Sequence, residues 1–198
     1  HTISERNQMI KTPYLLFLGD APDQLAAKVG QGIRDWRPDI SLGQIRLTGC
    51  KADLGLPDYT LEDAKNAGAK TLIVGVANRG GTFSSTWKET LCKALGLKFD
   101  IASGLHNLLS EEKDFIDLAR SNDCKLFDVR IPSEIFPIAN GKKRSGMRCL
   151  TIGTDCSAGK MYSTLALERE MLSRGKKATF RATGQTGILI SGSGIPLD

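Results

Sequence analysis

Residues 153–161 read Gly-Thr-Asp-Cys-Ser-Ala-Gly-Lys-Met, two glycines and a lysine at a spacing suited to capturing an anion. A phosphate-binding loop reads Gly, four residues, then Gly-Lys-Ser/Thr. Here five residues separate Gly153 from Gly159, and Met161 stands where a magnesium-holding hydroxyl belongs. Such a turn offers successive backbone N–H groups, and the helix that follows adds a partial positive charge of about +0.5 at its N-terminus. Lys160 supplies a full charge that reaches a terminal phosphate. Gly153, Thr154, Asp155, Ser157, Gly159, Lys160 and Met161 are therefore the cofactor-binding candidates. No residue is assigned to a metal. Ser163 or Thr164 replaces the missing hydroxyl only if the helix after the loop starts late.

A second polar set follows the apolar runs of the first two thirds of the chain. It comprises Gly19-Asp20, Asn78-Arg79-Gly80-Gly81, Gly104-Leu-His106-Asn107, and Asp128 with Arg130. In an open parallel sheet, ligands sit at the carboxyl ends of the strands, where these residues fall. The forked guanidinium of Arg79 suits a carboxylate, because it pairs with two oxygens at once. His106 is the sole internal histidine. It either serves as a general base near neutral pH or caps the helix that follows it.

The elements that position these groups alternate strand and helix. Tyr14–Leu18 is predicted as a strand, Asp23–Trp36 as a helix and Gln44–Leu47 as a strand. Leu61–Ala67 reads as a short helix, Thr71–Val76 as the clearest strand, and Ser85–Leu95 as a helix. Lys98–Ala102 and Lys125–Val129 are extended, with a helix at Ser110–Ser121 between them. This alternation argues for an α/β fold with a parallel, doubly wound sheet. Met147–Ile152 then reads as a buried strand before the phosphate loop, and Ser163–Arg174 as the helix after it. Ala178–Ala182 and Ile188–Ile190 read as further strands. The expected organisation is a polar extension at 1–12, a sheet domain at 13–139, a linker at 140–146 and a second domain at 147–198 that looks incomplete.

Composition narrows the partners. Residues 142–198 carry 10 Lys/Arg against 4 Asp/Glu, whereas residues 1–141 carry 17 against 18. The positive surplus thus accompanies the phosphate loop. Without aromatic interleaving or a nucleic-acid motif, a phosphorylated small molecule is the simpler ligand, and no nucleic acid is expected. No apolar run spans a bilayer and no secretory pattern opens the chain, so a cytoplasmic protein with no membrane partner is expected. The five cysteines are scattered without a CxxC pair, which argues against a disulfide framework or zinc site.

Five stretches together resemble one family. They are Tyr14-Leu-Leu-Phe-Leu-Gly-Asp20, Gly75-Val-Ala-Asn-Arg-Gly-Gly81, Asp100-Ile-Ala-Ser-Gly-Leu-His-Asn107, the 153–161 loop, and Arg181-Ala-Thr-Gly-Gln-Thr-Gly-Ile188. The resemblance is to the D-glutamate N-acetyltransferase family, formerly a domain of unknown function, and runs from Pro13 onward. It implies an N-terminal Rossmann-like domain followed by the start of a P-loop NTPase-like α/β domain, in members that continue beyond this end point. It also implies transfer of an acetyl group from acetyl-CoA to the amine of D-glutamate, in a homo-oligomer. On that footing His106 and Arg79 become the catalytic candidates, and Asn78, Arg79, Asn107, Arg181 and Gln185 the substrate-binding ones. CoA carries a pyrophosphate, and acyl transfer needs no magnesium-holding hydroxyl. The loop also resembles those of dethiobiotin synthetases, so an ATP- and Mg2+-dependent ligase or kinase remains open. A non-catalytic nucleotide-binding module is the third possibility.

Overall fold

Strand β1 (Tyr14–Gly19) is buried at all six positions. Helices cover both faces of a parallel sheet, so an inner strand has no solvent side and shows no alternation. The computed structural model describes residues 10–77, 80–132, 141–143, 145–155 and 158–196. The candidate residues Asn78, Arg79 and Ser157 lie outside these, as does Cys156.

Around β1 run α1 (Lys28–Trp36), β2 (Ser41–Arg46), α2 (Leu61–Asn66), β3 (Thr71–Val74) and α3 (Ser85–Gly96). Next come β4 (Asp100–Ser103), a 3-10 turn at Leu109–Glu111, α4 (Lys113–Asn122) and β5 (Leu126–Asp128). The sheet is wholly parallel, in the order β2-β1-β3-β4-β5. One rung of the ladder reads Leu16↔Ile73, Ile73↔Ala102, Ala102↔Phe127. Because β1 is flanked by β2 on one side and β3 on the other, the winding reverses there. The crevice beyond the ends of β1 and β3 is the place where such sheets bind ligands.

Two helix starts follow from local chemistry. The Ser84 hydroxyl accepts from Trp87 N at 3.3 Å to cap α3, and Thr60 accepts from Asp63 N at 3.1 Å to cap α2. The first helix is shorter than the predicted Asp23–Trp36 because Asp23 Oδ1 accepts from Ala26 N at 2.9 Å. That bond closes a turn and delays α1 to Lys28. Close approach of α1 to the sheet needs glycine on both sides. Gly30 N donates to Gly75 O at 2.8 Å, and a Cβ on Gly75 would lie 3.0 Å from Gly30 Cα.

The last fifty residues add α5 (Lys160–Ser173) and α6 (Gln185–Ser191), and both lie against α1. Tyr162 stacks on Trp36 at 6.0 Å between centroids, with the Arg169 guanidinium 4.7 Å over the same Trp36 ring. Arg37 Nη1 donates to Ile190 O at 3.1 Å.

Three expectations need correcting here. Met147–Ile152 forms no strand, and Met147, Leu150 and Ile152 are 100%, 80% and 84% exposed. A strand is stable only within a ladder, and among the described residues none pairs with this segment. Ala178–Ala182 makes a single bridge, Ala182 to Gly194, rather than a strand. Ile188–Ile190 lies in α6, because a short apolar run carries no periodicity to separate a buried helix from a buried strand. Among the described residues no helix is long and apolar enough to cross a membrane.

Candidate functional site

The phosphate loop enters α5 through Gly159, whose φ of +81° is left-handed and favours glycine. Lys160 is the first residue of the helix, and its ammonium donates to the Asp155 carbonyl. The lysine therefore folds back over the loop it would help to charge. Gly153 lies close beneath: a Cβ there would come 3.2 Å from Ala158 Cβ and 3.3 Å from the Lys160 stem. Thr154 and Asp155 are exposed on the same loop.

The helix starts at Lys160, earlier than the expected Ser163. With a rise of about 1.5 Å per residue, Ser163 and Thr164 sit about 3–4.5 Å further along α5 than Met161. Thr164 Oγ1 donates to Lys160 O at 2.7 Å and meets Thr151 Oγ1 at 2.5 Å. The condition for either residue to replace the magnesium-holding hydroxyl is thus not met. Met161 itself is half-buried and turns towards α6, where a Cβ on Gly187 would lie 3.3 Å from its sulfur. It joins α5 to α6 instead of facing the loop mouth.

The sheet edge gathers the second set. Gly81 O accepts from Asn107 N at 3.0 Å, tying the loop after β3 to the loop after β4. Gly81 also lies against His106, since a Cβ there would fall 3.0 Å from His106 Cδ2. His106 is exposed. It does not cap the following turn, because Asp128 accepts from Leu109 N at 2.7 Å and Ser110 N at 3.0 Å.

A junction joins the two parts. Arg130 Nε donates to Gly104 O at 3.2 Å. The Gln185 amide donates to the same carbonyl and accepts from Arg130 Nη2 at 2.9 Å. Gly104 must lack a side chain here, because a Cβ would lie 1.9 Å from the Gln185 side-chain amide. Gln185 opens α6, and Met161 packs two residues further on, at Gly187. The first turn of α6 therefore touches the sheet edge through Gln185 and the start of α5 through Met161. Arg181 stands apart from this junction, exposed, with Nη1 donating to Ser193 Oγ at 3.3 Å.

Sequence reasoning did not single out the partnership of Gly104, Arg130 and Gln185. Gly104 and Arg130 were named separately at the sheet edge and Gln185 among the substrate-binding candidates, but no sequence signal joined them. A cavity of about 350 Å³ lies between α1, α5 and α6, lined among others by Trp36, Arg37, Glu168, Arg169 and Phe180. It shares no residue with the loop or the sheet edge, so the chemistry-bearing groups and not this cavity mark the candidate site. Among the described residues no group of three His, Cys, Asp or Glu could hold a metal ion. Burial pushes the Cys92 and Cys124 thiols up, which weakens them as nucleophiles.

Two family models match in tandem, both described as domains of unknown function. The Rossmann-like domain DUF1611_N covers residues 45–132 and the P-loop domain DUF1611_C covers residues 137–198. A D-glutamate N-acetyltransferase of Tritonibacter scottomollicae is 65% identical over 190 residues, 96% of this chain and 57% of the relative. A second protein of that name, from a Pseudoalteromonas species, is 43% identical over 189 residues with the same coverage. The chain spans 57% of the length of these curated relatives. Among solved structures, a DUF1611 family protein from Anabaena variabilis shares the fold with a TM-score of 0.73 at 25% identity, over 94% of this chain and 56% of that one. The two profiles follow one another in the order that the parallel sheet and the phosphate loop require, and the chain belongs to the DUF1611 family, with a Rossmann-like N-terminal domain and a P-loop C-terminal domain.

Proposed function

We propose that the protein acts as an N-acetyltransferase, moving an acetyl group from acetyl-CoA to the amine of D-glutamate. The observation that carries this reading is the phosphate loop itself. It keeps its glycines and Lys160 but turns Met161, at the position of the magnesium-holding hydroxyl, inward onto α6. Such a loop holds a phosphorylated carrier better than it hydrolyses one. The relatives named D-glutamate N-acetyltransferase support the substrate.

On this reading Gly153, Thr154, Asp155, Ser157, Gly159 and Lys160 cradle the CoA phosphates. Arg79 and Arg181 hold the substrate carboxylates, with Asn78, Asn107 and Gln185 beside them. His106 takes a proton from the substrate ammonium. The freed amine attacks the thioester carbonyl carbon, and the oxyanion collapses as the C–S bond breaks. The nitrogen sheds its second proton as the amide forms, and the leaving CoA thiolate takes up a proton. Backbone or side-chain donors at the oxyanion carry much of the rate in such reactions. We place the domain boundary within 140–146, and the protein in the cytoplasm as a homo-oligomer.

Full-length protein given acetyl-CoA and D-glutamate, or ATP with magnesium, tests the reading. Thiol release that depends on D-glutamate is the expected result. Phosphate release would make the protein an ATP-dependent ligase or kinase, and neither product would make it a binding module.

A further inference from the structure

We propose that Asp20 is the carboxylate that receives the ammonium group of the amino-acid substrate. The inference rests on the acetyl-transfer reading and adds to it the recognition of the reacting nitrogen.

Asp20 is the first residue beyond β1, at the crevice where the winding of the sheet reverses. Gly19 before it has φ +54°, which turns the chain sharply off the strand. A side chain at Gly19 is excluded twice over, since a Cβ would lie 2.5 Å from the Trp87 ring. That ring is 1% exposed, and packs edge-on against Phe17 at 5.5 Å between centroids. Its Nε1–H donates to Asp20 Oδ1 at 2.8 Å. One carboxylate oxygen is thereby fixed by a neutral, immobile donor, while the residue stays exposed.

The neighbouring carboxylates are otherwise engaged. Asp128 accepts from the Leu109 and Ser110 amides, and Asp53 and Asp58 pair with Arg46 beyond β2. Among the described residues no cation pairs with Asp20. An α-amino dicarboxylate brings one cation and two anions. Basic residues serve the anions, and Asp20 is the acidic group left at this edge for the cation. Trp87 belongs to α3, which begins just after the loop carrying Gly81 and its His106 contact. The carboxylate and the candidate base thus both contact the stretch that runs from Gly81 into α3, through Trp87 and Gly81 respectively. A fixed ammonium point together with two carboxylate points also gives the three contacts that chiral selection requires.

Binding of D-glutamate and of glutarate, which lacks the amine, to full-length wild type and Asp20→Asn by calorimetry provides the test. The asparagine keeps an oxygen for the Trp87 indole and removes the charge. A charge-assisted contact predicts D-glutamate affinity down by about tenfold or more, with glutarate within about twofold. Asp20→Glu, which keeps the charge, should bind D-glutamate more tightly than D20N, and guards against a folding defect that an unchanged Tm would also exclude. Equal losses for both ligands, unchanged D-glutamate binding in D20N, or a wild type that binds neither compound would overturn the assignment. The acetyl-transfer reading fails separately, if wild type binds D-glutamate but forms no N-acetyl product from acetyl-CoA.

Discussion

The two halves of the molecule hold their functional residues in different ways. At the end of the parallel sheet, most of the polar residues follow β1, β3 and β4, which are buried throughout, and the loops beyond β3 and β4 are tied by the Asn107 to Gly81 bond. The phosphate loop follows a segment whose apolar side chains face solvent. Its helix is held instead by Tyr162 on Trp36 of the first half and by Met161 on Gly187 of α6, which in turn meets Gly104 of the first half through Gln185. One half is positioned by its own core and the other by docking. The geometry of the loop half therefore depends on the sheet half, against which its helices lie.

The largest contrast concerns stability. Phe17→Ala removes a fully buried ring from β1 and is expected to cost about 3–5 kcal/mol. Leu150→Ala in this 198-residue chain is expected to change stability by less than about 0.5 kcal/mol. Urea unfolding of both variants measures the difference, and similar losses would mean that the two halves share one core. Next comes His106→Gln, which is expected to lower kcat of the full-length enzyme by about 100-fold or more, the low end for a general base. An unchanged kcat would remove His106 from the chemistry.

The docking is tested at its tightest point. Gly104→Ala forces a methyl into the Gln185 amide, and overpacking of this kind costs about 1–3 kcal/mol. Gln185→Ala in the same chain removes the amide and leaves only its Cβ, 2.9 Å from the new methyl, so the double variant is expected to recover part of the stability lost in Gly104→Ala. A coupling of about 0.5–3 kcal/mol in that cycle supports the junction, and simple additivity would break it.

The same contrast explains what could be read from the sequence. The order of elements through β5 was legible because each strand is an apolar run bounded by turn residues. The 153–161 loop was legible from its glycines and lysine. Distant pairings were not legible. Trp87 reaches Asp20 across 67 positions, and Gln185 meets Gly104 only because α6 docks where it does. The misread segments, Met147–Ile152 and Ile188–Ile190, are short apolar runs whose state depends on what lies beside them. Tertiary partners decide such runs, and periodicity does not.

The smallest expected effect is a difference in thiol reactivity, and it reports directly on how open the segment before the loop is. Cys149 lies within that segment and is exposed, while Cys92 in α3 and Cys124 after α4 are partly covered. Burial, reinforced by Asp114 for Cys92 and by Asp100 for Cys124, pushes both of those thiols up. Alkylation proceeds through the thiolate, so a raised pKa leaves less of the reactive form at any given pH. In the 198-residue chain, brief iodoacetamide treatment near neutral pH should therefore label Cys149 first, with Cys92 and Cys124 gaining only as the pH rises beyond the ordinary thiol range. Peptide mass mapping reads the order. If further chain pairs with residues 147–152 in the full-length protein, Cys149 should become the slow thiol there while Cys92 and Cys124 keep their rates. Equal Cys149 rates in both forms would show that this half of the molecule is positioned by docking alone.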